Sequence, residues 1–195
     1  MNININLEKE IIVYKDSYKL REKINLSEIK EEIIKKKKGK FLILDEEIFI
    51  KEVKYIKVKS IEDYVEKEIK KEFNTSDYLF HYIVNKKEEK IIIYAIKGVN
   101  KINPFTKYVN KLRVLPIQFR LTKIIMGSLK SKTFKSIIYI EDKYYYIKVS
   151  DGNIIENSIV KDINMLKVED NIIYGTFKYP FSKKELVLEK GEMNE

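Results

Sequence analysis

Between Ser60 and Asn157 the chain spells out an ordered series of elements: helix, hairpin, helix, Leu-Pro-Ile link, helix and strand meander. That order constrains the fold more than any single motif does. Ser60 is placed to cap a helix, with Asp63 three residues on in a position like that of a capping box. Ile61, Tyr64, Val65, Ile69 and Phe73 follow at near-helical spacing. Tyr78–Asn85 and Lys90–Lys97 predict a hairpin around Lys86-Lys87-Glu88-Glu89. Asn103-Pro104 predicts the start of a second helix, with Asn as cap and Pro in the first turn, where its missing N–H costs nothing. Phe105, Tyr108, Val109 and Leu112 would line one face of that helix, over Phe105–Arg113. Leu115-Pro116-Ile117 breaks it, and a short helix with Leu121, Ile124, Ile125 and Leu129 comes next. Ser136–Asp142, Tyr144–Val149 and Ile154–Val160 predict the meander, with Asp151-Gly152 in a turn that needs positive φ.

The flanks extend the same alternation. Glu10–Lys15 and Tyr18–Ile24 predict a hairpin turning at Asp16-Ser17. Ser27 is expected to cap a helix that buries Ile29, Ile33 and Ile34 and ends at Gly39. Phe41-Leu42-Ile43-Leu44 is a continuous apolar run, the pattern of a strand buried on both faces. Ile48–Val58 predicts a long strand with Val53, Tyr55 and Lys57 on one face. Leu166–Val168 and Ile172–Lys178 predict a last hairpin, and Lys183 to Glu195 a charged end that frays. No internal repeat and no Gly/Ser/Pro-rich linker is present. Strands and helices mixed in this order predict an α/β (mixed α+β) fold, sheets covered by helices.

Composition removes several classes of chemistry. The 195 residues contain no cysteine, so disulfides, thiolate nucleophiles and Cys-ligated metals are excluded. No apolar run approaches the ~20 residues that cross a bilayer. The start, Met1-Asn2-Ile3-Asn4, lacks the basic-then-apolar pattern of a signal peptide. A cytoplasmic protein is expected. The net charge of +9 is compatible with nucleic acid or an anionic surface, but the lysines are scattered among glutamates. The one strong run, Lys35 to Lys38, follows Glu28, Glu31 and Glu32, the acid-first, base-last order that a helix dipole favours.

Catalytic constellations are missing. His81 is the only histidine and stands in an alternating strand, where a structural role is the commoner one. There is no Gly-x-x-x-x-Gly-Lys loop and no Gly-x-Gly-x-x-Gly, and six glycines spread over the chain build no phosphate cradle. Asp45-Glu46-Glu47 is an acidic turn that suits solvation better than a cation. Tyr144-Tyr145-Tyr146 would send its side chains to alternate faces, which favours packing over a stacking platform. The expectation is a non-enzyme with no cofactor and no metal.

The segment from Phe41 to about Val160 resembles PilM, the cytoplasmic actin-like protein of type IV pilus machines, and more distantly the cytoplasmic domain of GspL in type II secretion. Ile48–Val58 and Ser60–Phe73 resemble the family's strand, helix and Phe-containing corner. Tyr78–Val84 and Ile91–Lys97 resemble its hairpin. Phe105–Arg113 and Val114-Leu115-Pro116-Ile117 resemble its next helix and Gly-Leu-x-Pro link, and Ser136–Val160 its second-half meander. Two departures stand out. The corner reads Glu72-Phe73-Asn74 without the usual Pro, and Ile140 leads into Glu141-Asp142-Lys143-Tyr144 where an Asp-x-Gly phosphate loop belongs.

The resemblance implies a shortened, nucleotide-free actin-like fold, with a first lobe over 1–130 and a truncated second lobe over 131–195. It implies a non-enzymatic adaptor at the inner face of the cell membrane. The adaptor would bind the cytoplasmic tail of a PilN-like inner-membrane subunit and couple to the assembly ATPase, without specific nucleic-acid binding. Tyr55, Phe73, Tyr78 and Phe80, near the corner, are the candidate anchors for that tail. The rival reading is a nucleic-acid-binding domain using the basic, tyrosine-rich surface.

Overall fold

The computed structural model describes residues 2–5, 10–14, 17–19, 23–36, 38–166, 171–177 and 184–190. The elements, in order, are β1 (Asn2–Ile5), β2 (Ile11–Val13), β3 (Tyr18–Lys19), α1 (Leu26–Lys36), β4 (Lys38–Ile43), β5 (Phe49–Lys54), α2 (Ile61–Lys70), β6 (Tyr78–Asn85), β7 (Lys90–Lys97), α3 (Val99–Thr106), β8 (Lys111–Pro116), α4 (Ile117–Leu129), β9 (Phe134–Ile140), β10 (Lys143–Ser150), β11 (Asn153–Val160), β12 (Ile172–Phe177) and β13 (Lys184–Lys190). The protein is mixed α/β, as expected. Its strands form three sheets, ordered β3-β2-β4-β8, β5-β7-β6 and β1-β13-β12-β9-β10-β11.

Apolar patterning explains each sheet. Phe41 to Leu44 are all buried, and β4 lies between β2 and β8, parallel to both. In β7, Ile91 to Ile96 are all buried. Ile92, Tyr94 and Ile96 face the main core, while Ile91 and Ile93 face α2 with Val65 and Ile69. Ser60 caps α2 as its spacing requires, its hydroxyl accepting from the Asp63 N–H at 3.1 Å. The meander closes with two-residue turns at Glu141-Asp142 and Asp151-Gly152, where all four residues have positive φ.

Several expectations are corrected. The cap of α1 is Asn25, whose Oδ1 accepts the Ser27 N–H, so the cap is not Ser27. Ile34 is exposed, and Gly39 lies inside β4 rather than ending the helix. The strand over Ile48–Val58 is only Phe49–Lys54. The helix assigned to Phe105–Arg113 begins earlier, at Val99, and stops at Thr106, with Pro104 inside it. Pro104 costs this eight-residue helix one hydrogen bond, which a short element tolerates. Residues 111–116 then form β8 instead of helix, because pairing with β4 gives the sheet a fourth strand. Of the hairpin expected over Leu166–Val168 and Ile172–Lys178, residues 167–170 and 178 lie outside the described residues; β12 itself pairs parallel to β9 and antiparallel to β13. The stretch expected to fray contains β13. Among the described residues no helix is long and apolar enough to cross a membrane.

Candidate functional site

Two hollows flank the β5-α2-β6-β7 unit. The first is an apolar groove of about 200 Å³, lined by Leu79 and His81 of β6, Tyr94 and Ile96 of β7, Val114 and Pro116 of β8, and Phe119 of α4. β8 runs into α4 without a loop because Pro116, extended at φ −62° and ψ 142°, is itself the residue before the first helical one. That abrupt junction sets Phe119 beside the strand end. Phe119 packs edge-on to Tyr94 at 5.0 Å and to His81 at 6.1 Å, and His81 stacks on Tyr94 at 6.3 Å. The Tyr94 hydroxyl donates to the Ile154 carbonyl at 3.1 Å, and burial pushes its pKa up to about 12.

The rims of the groove matter as much as its floor. β6 pairs only with β7, and β8 only with β4. Each therefore presents one edge with no strand partner among the described residues. An unpaired edge offers a row of backbone N–H and C=O groups to an extended chain. At about 200 Å³ the hollow is smaller than the ~300–1,000 Å³ typical of small-molecule sites. It fits one or two side chains of a strand laid along an edge better than a cofactor.

The second hollow is larger, about 670 Å³, and polar. Tyr14, Ser17, Asp45, Glu46, Glu47, Phe49, Lys97, Lys143 and Lys161 are among its lining residues. Its charges are largely satisfied by one another. Asp45 accepts from Lys143 at 2.8 Å and from the Tyr145 hydroxyl at 3.2 Å. Burial, then the nearby Asp45 charge, raises the Tyr145 pKa far above the usual tyrosine range. Glu46 pairs with Lys101 at 2.6 Å, and Glu47 accepts the Ile159 N–H at 2.8 Å. The carboxylates of the acidic turn are thus engaged by protein donors rather than only by solvent; among the described residues no group of three or more His, Asp or Glu is placed to hold a metal ion. The Tyr14 hydroxyl reaches Glu141 at 3.0 Å, joining the β9–β10 turn to the β2 end.

Between the two hollows runs a hydrogen-bonded seam. Asn157 of β11 clasps the backbone of Ile48: it accepts the Ile48 N–H at 2.9 Å and donates to the Ile48 carbonyl at 2.7 Å. The buried Gln118 donates to the Glu46 carbonyl at 2.8 Å. These contacts hold the segment from 46 to 48, one wall of both hollows, against the second-half meander.

The four proposed anchors are not brought together as a set. Phe73, Tyr78 and Phe80 meet in an aromatic cluster with Phe49, at ring separations of 5.2 to 6.3 Å. Phe73 and Phe80 also pack on the small core under α2. Tyr55 packs on that core too, but past the other end of β5, where its N–H donates to the Glu89 carbonyl. Of the four, only Phe80 lines the apolar groove. Sequence reasoning does not single out Leu79, Val114 or Phe119: it makes residues up to Arg113 helix and Val114-Leu115-Pro116-Ile117 a link, so the strand that brings Val114 and Pro116 against Leu79 and Phe119 is not foreseen; the alternation of Leu112 and Val114 is the available signal. In the tyrosine triplet, Tyr145 is buried in the main core, while Tyr146 is buried and Tyr144 half-buried on the opposite face.

No family model matches this sequence, and no curated protein matches it. Among solved structures the chain is similar to a "PilM-PilN type IV pilus biogenesis complex", with a TM-score of 0.44 and 11% identity over 69% of this chain and 47% of that one. The chain thus spans less than half the length of that relative. It is also similar to a protein of Bacteroides thetaiotaomicron VPI-5482 described as having an actin-like ATPase fold and unknown function. There the TM-score is 0.39 with 10% identity, over 78% of this chain and 70% of that one.

Proposed function

We propose that the protein is a non-catalytic adaptor that captures a short, extended cytoplasmic tail of an inner-membrane subunit, of the PilN kind, in a type IV pilus or related secretion platform. In this reading it stands at the inner face of the membrane and links the platform to its assembly ATPase. The observation that carries the proposal is the apolar groove bounded by two strand edges that have no strand partner among the described residues. Such a site suits strand addition: backbone hydrogen bonds at the β6 or β8 edge supply affinity, and alternate side chains of the tail enter the hollow at Leu79, Tyr94 and Phe119. The resemblance of the Phe41–Val160 segment to PilM supports the choice of partner.

Titration calorimetry with synthetic cytoplasmic tails of neighbouring-gene membrane proteins tests it. A tail that binds tighter than roughly 100 μM, the weakest level useful without avidity, supports the reading. Leu79→Glu, which places a charge at the mouth, should weaken that binding at least about tenfold. If no tail binds, or if Leu79→Glu binds equally well, the groove is not the adaptor site.

A further inference from the structure

We propose that the first three residues of β4 and of β8 form a docking ribbon for an anionic lipid surface. β4 and β8 pair in register as Lys38 with Lys111, Gly39 with Leu112, and Lys40 with Arg113. Among the described residues β2 joins β4 only from Phe41 onward, so these six residues stand out as a two-stranded extension of the sheet. Partners in a parallel ladder share a face, and residues two apart return to it. Lys38, Lys40, Lys111 and Arg113 therefore occupy one face as the corners of a rectangle about 5 by 7 Å at the Cα atoms.

All four side chains are exposed. None makes an ion pair, hydrogen bond or ring contact with another described residue. Several lysines elsewhere are matched, as Lys51 is with Glu68 and Glu72, Lys70 with Glu66, and Lys90 with Glu52 and Glu88; the ribbon differs in setting four unmatched cations side by side on one face. Like charges directly opposite one another destabilise a sheet, and four within ~8 Å lie inside one Debye length. The opposite face of the ribbon is covered by the turn after α3, since a Cβ on Gly39 would lie 3.3 Å from Val109 Cγ1. Such a lattice, unneutralised among the described residues, is the complement of a surface dense in negative charge.

The surface it fits is a membrane rather than a nucleic acid. The patch is flat, three of its four corner cations are lysines, and the ribbon carries no aromatic side chain on which a base could stack. Lysine point charges suit mobile phosphate headgroups, which rearrange to meet them. This surface is distinct from the groove, and its existence does not depend on what the groove binds.

The test is flotation of the full 195-residue chain with vesicles of phosphatidylcholine alone or mixed with phosphatidylglycerol. Binding is expected only with the anionic mixture, and should disappear in high salt. Each Lys or Arg contributes about fivefold in affinity at such a surface, so the K38Q/K40Q/K111Q/R113Q variant should bind roughly a hundredfold or more weaker. A K86Q/K87Q/K130Q/K132Q control, with the same loss of net charge elsewhere, should lose far less. The ribbon variant should also melt no lower than the native chain, because repulsion is relieved. No binding to anionic vesicles, equal loss in the control, or a lower melting temperature in the ribbon variant would overturn the proposal. So would tighter binding of a DNA or RNA oligonucleotide than of vesicles, lost in the same variant, which would assign the ribbon to nucleic acid.

Discussion

The two hollows beside the β5-α2-β6-β7 unit differ in the opposite sense from what size alone suggests. The large one, about 670 Å³, is lined by Asp45, Glu46, Glu47 and three lysines, and its carboxylates are engaged by Lys143, Lys101, Tyr145 and the Ile159 N–H. The small one, about 200 Å³, has an aromatic wall and two strand edges with backbone groups to spare. A ligand entering the large hollow must displace contacts the protein already makes with itself. A ligand entering the small one adds contacts where none exist. Unmet bonding capacity and dry apolar surface mark a recognition site better than volume does.

The comparison is most exposed at the seam that both hollows share. Asn157→Ala removes the side chain that clasps Ile48 and strands the buried-side backbone N–H and carbonyl of that residue. Leaving such groups unsatisfied costs about 1–3 kcal/mol each, so the loss should be about 2–4 kcal/mol after partial rehydration. Urea unfolding would measure it. A loss below about 0.5 kcal/mol, the level of an ordinary surface change, would mean that the 46–48 wall is held by packing alone and that the hollows are not set by the seam.

The groove-side prediction is next in size. Leu79→Glu should lower tail affinity at least about tenfold, while Lys161→Gln, on the polar hollow, should leave it unchanged. Equal effects would erase the distinction between the two sites. Tyrosine titration sharpens it further. Burial raises the pKa of Tyr94, on the groove, to about 12, while in Tyr145, on the cleft, the Asp45 carboxylate adds to burial. A tyrosine whose folded pKa lies above its unfolded value gives stability that is present below about pH 10 and is lost as pH rises toward the folded value. Stability should therefore fall between pH 10 and about 12. In Tyr94→Phe that alkaline fall should be shallower, with a loss of about 1 kcal/mol at neutral pH from the unpaired Ile154 carbonyl. An unchanged alkaline slope, read by denaturation at a series of pH values, would show that Tyr94 is already ionisable in the folded groove.

The sequence was most legible where one strong pattern acted alone. The β6–β7 hairpin and the Ser60 cap are found where alternation and capping spacing put them, and β9, β10 and β11 match the meander to within two residues at each end. It was least legible over 99–116. There Phe105, Val109 and Leu112 satisfy a helical period, but the parallel partner that decides the issue, β4, lies about 70 residues earlier. Pairing across that distance leaves no local mark beyond the alternation of Leu112 and Val114. The groove was missed for the same reason, since one of its rims is that strand. The aromatic residues picked near the corner mostly joined the cluster around Phe73, because a helix end beside a sheet buries aromatics efficiently.

The smallest expected effect is a null result in the large hollow, and it is informative because the alternative would be large. An actin-like ATPase would place phosphates against backbone N–H groups at its hairpin turns. Here the β9–β10 turn is Glu141-Asp142, without glycine, and Glu141 accepts from the Tyr14 hydroxyl across the gap. Added phosphates would meet this carboxylate as well as Asp45, Glu46 and Glu47, whose partners they would have to strip away. Mg-ATP is therefore expected to leave the melting temperature unchanged. Were the dissociation constant near 10 μM, millimolar nucleotide would stabilise the fold by about 2.7 kcal/mol. For a chain of this size that would raise the melting temperature by roughly 5–10 °C. A rise of that order, confirmed by calorimetry, would show that the ion pairs of the cleft open for a nucleotide. The contrast between a self-satisfied hollow and a recognition groove would then be lost.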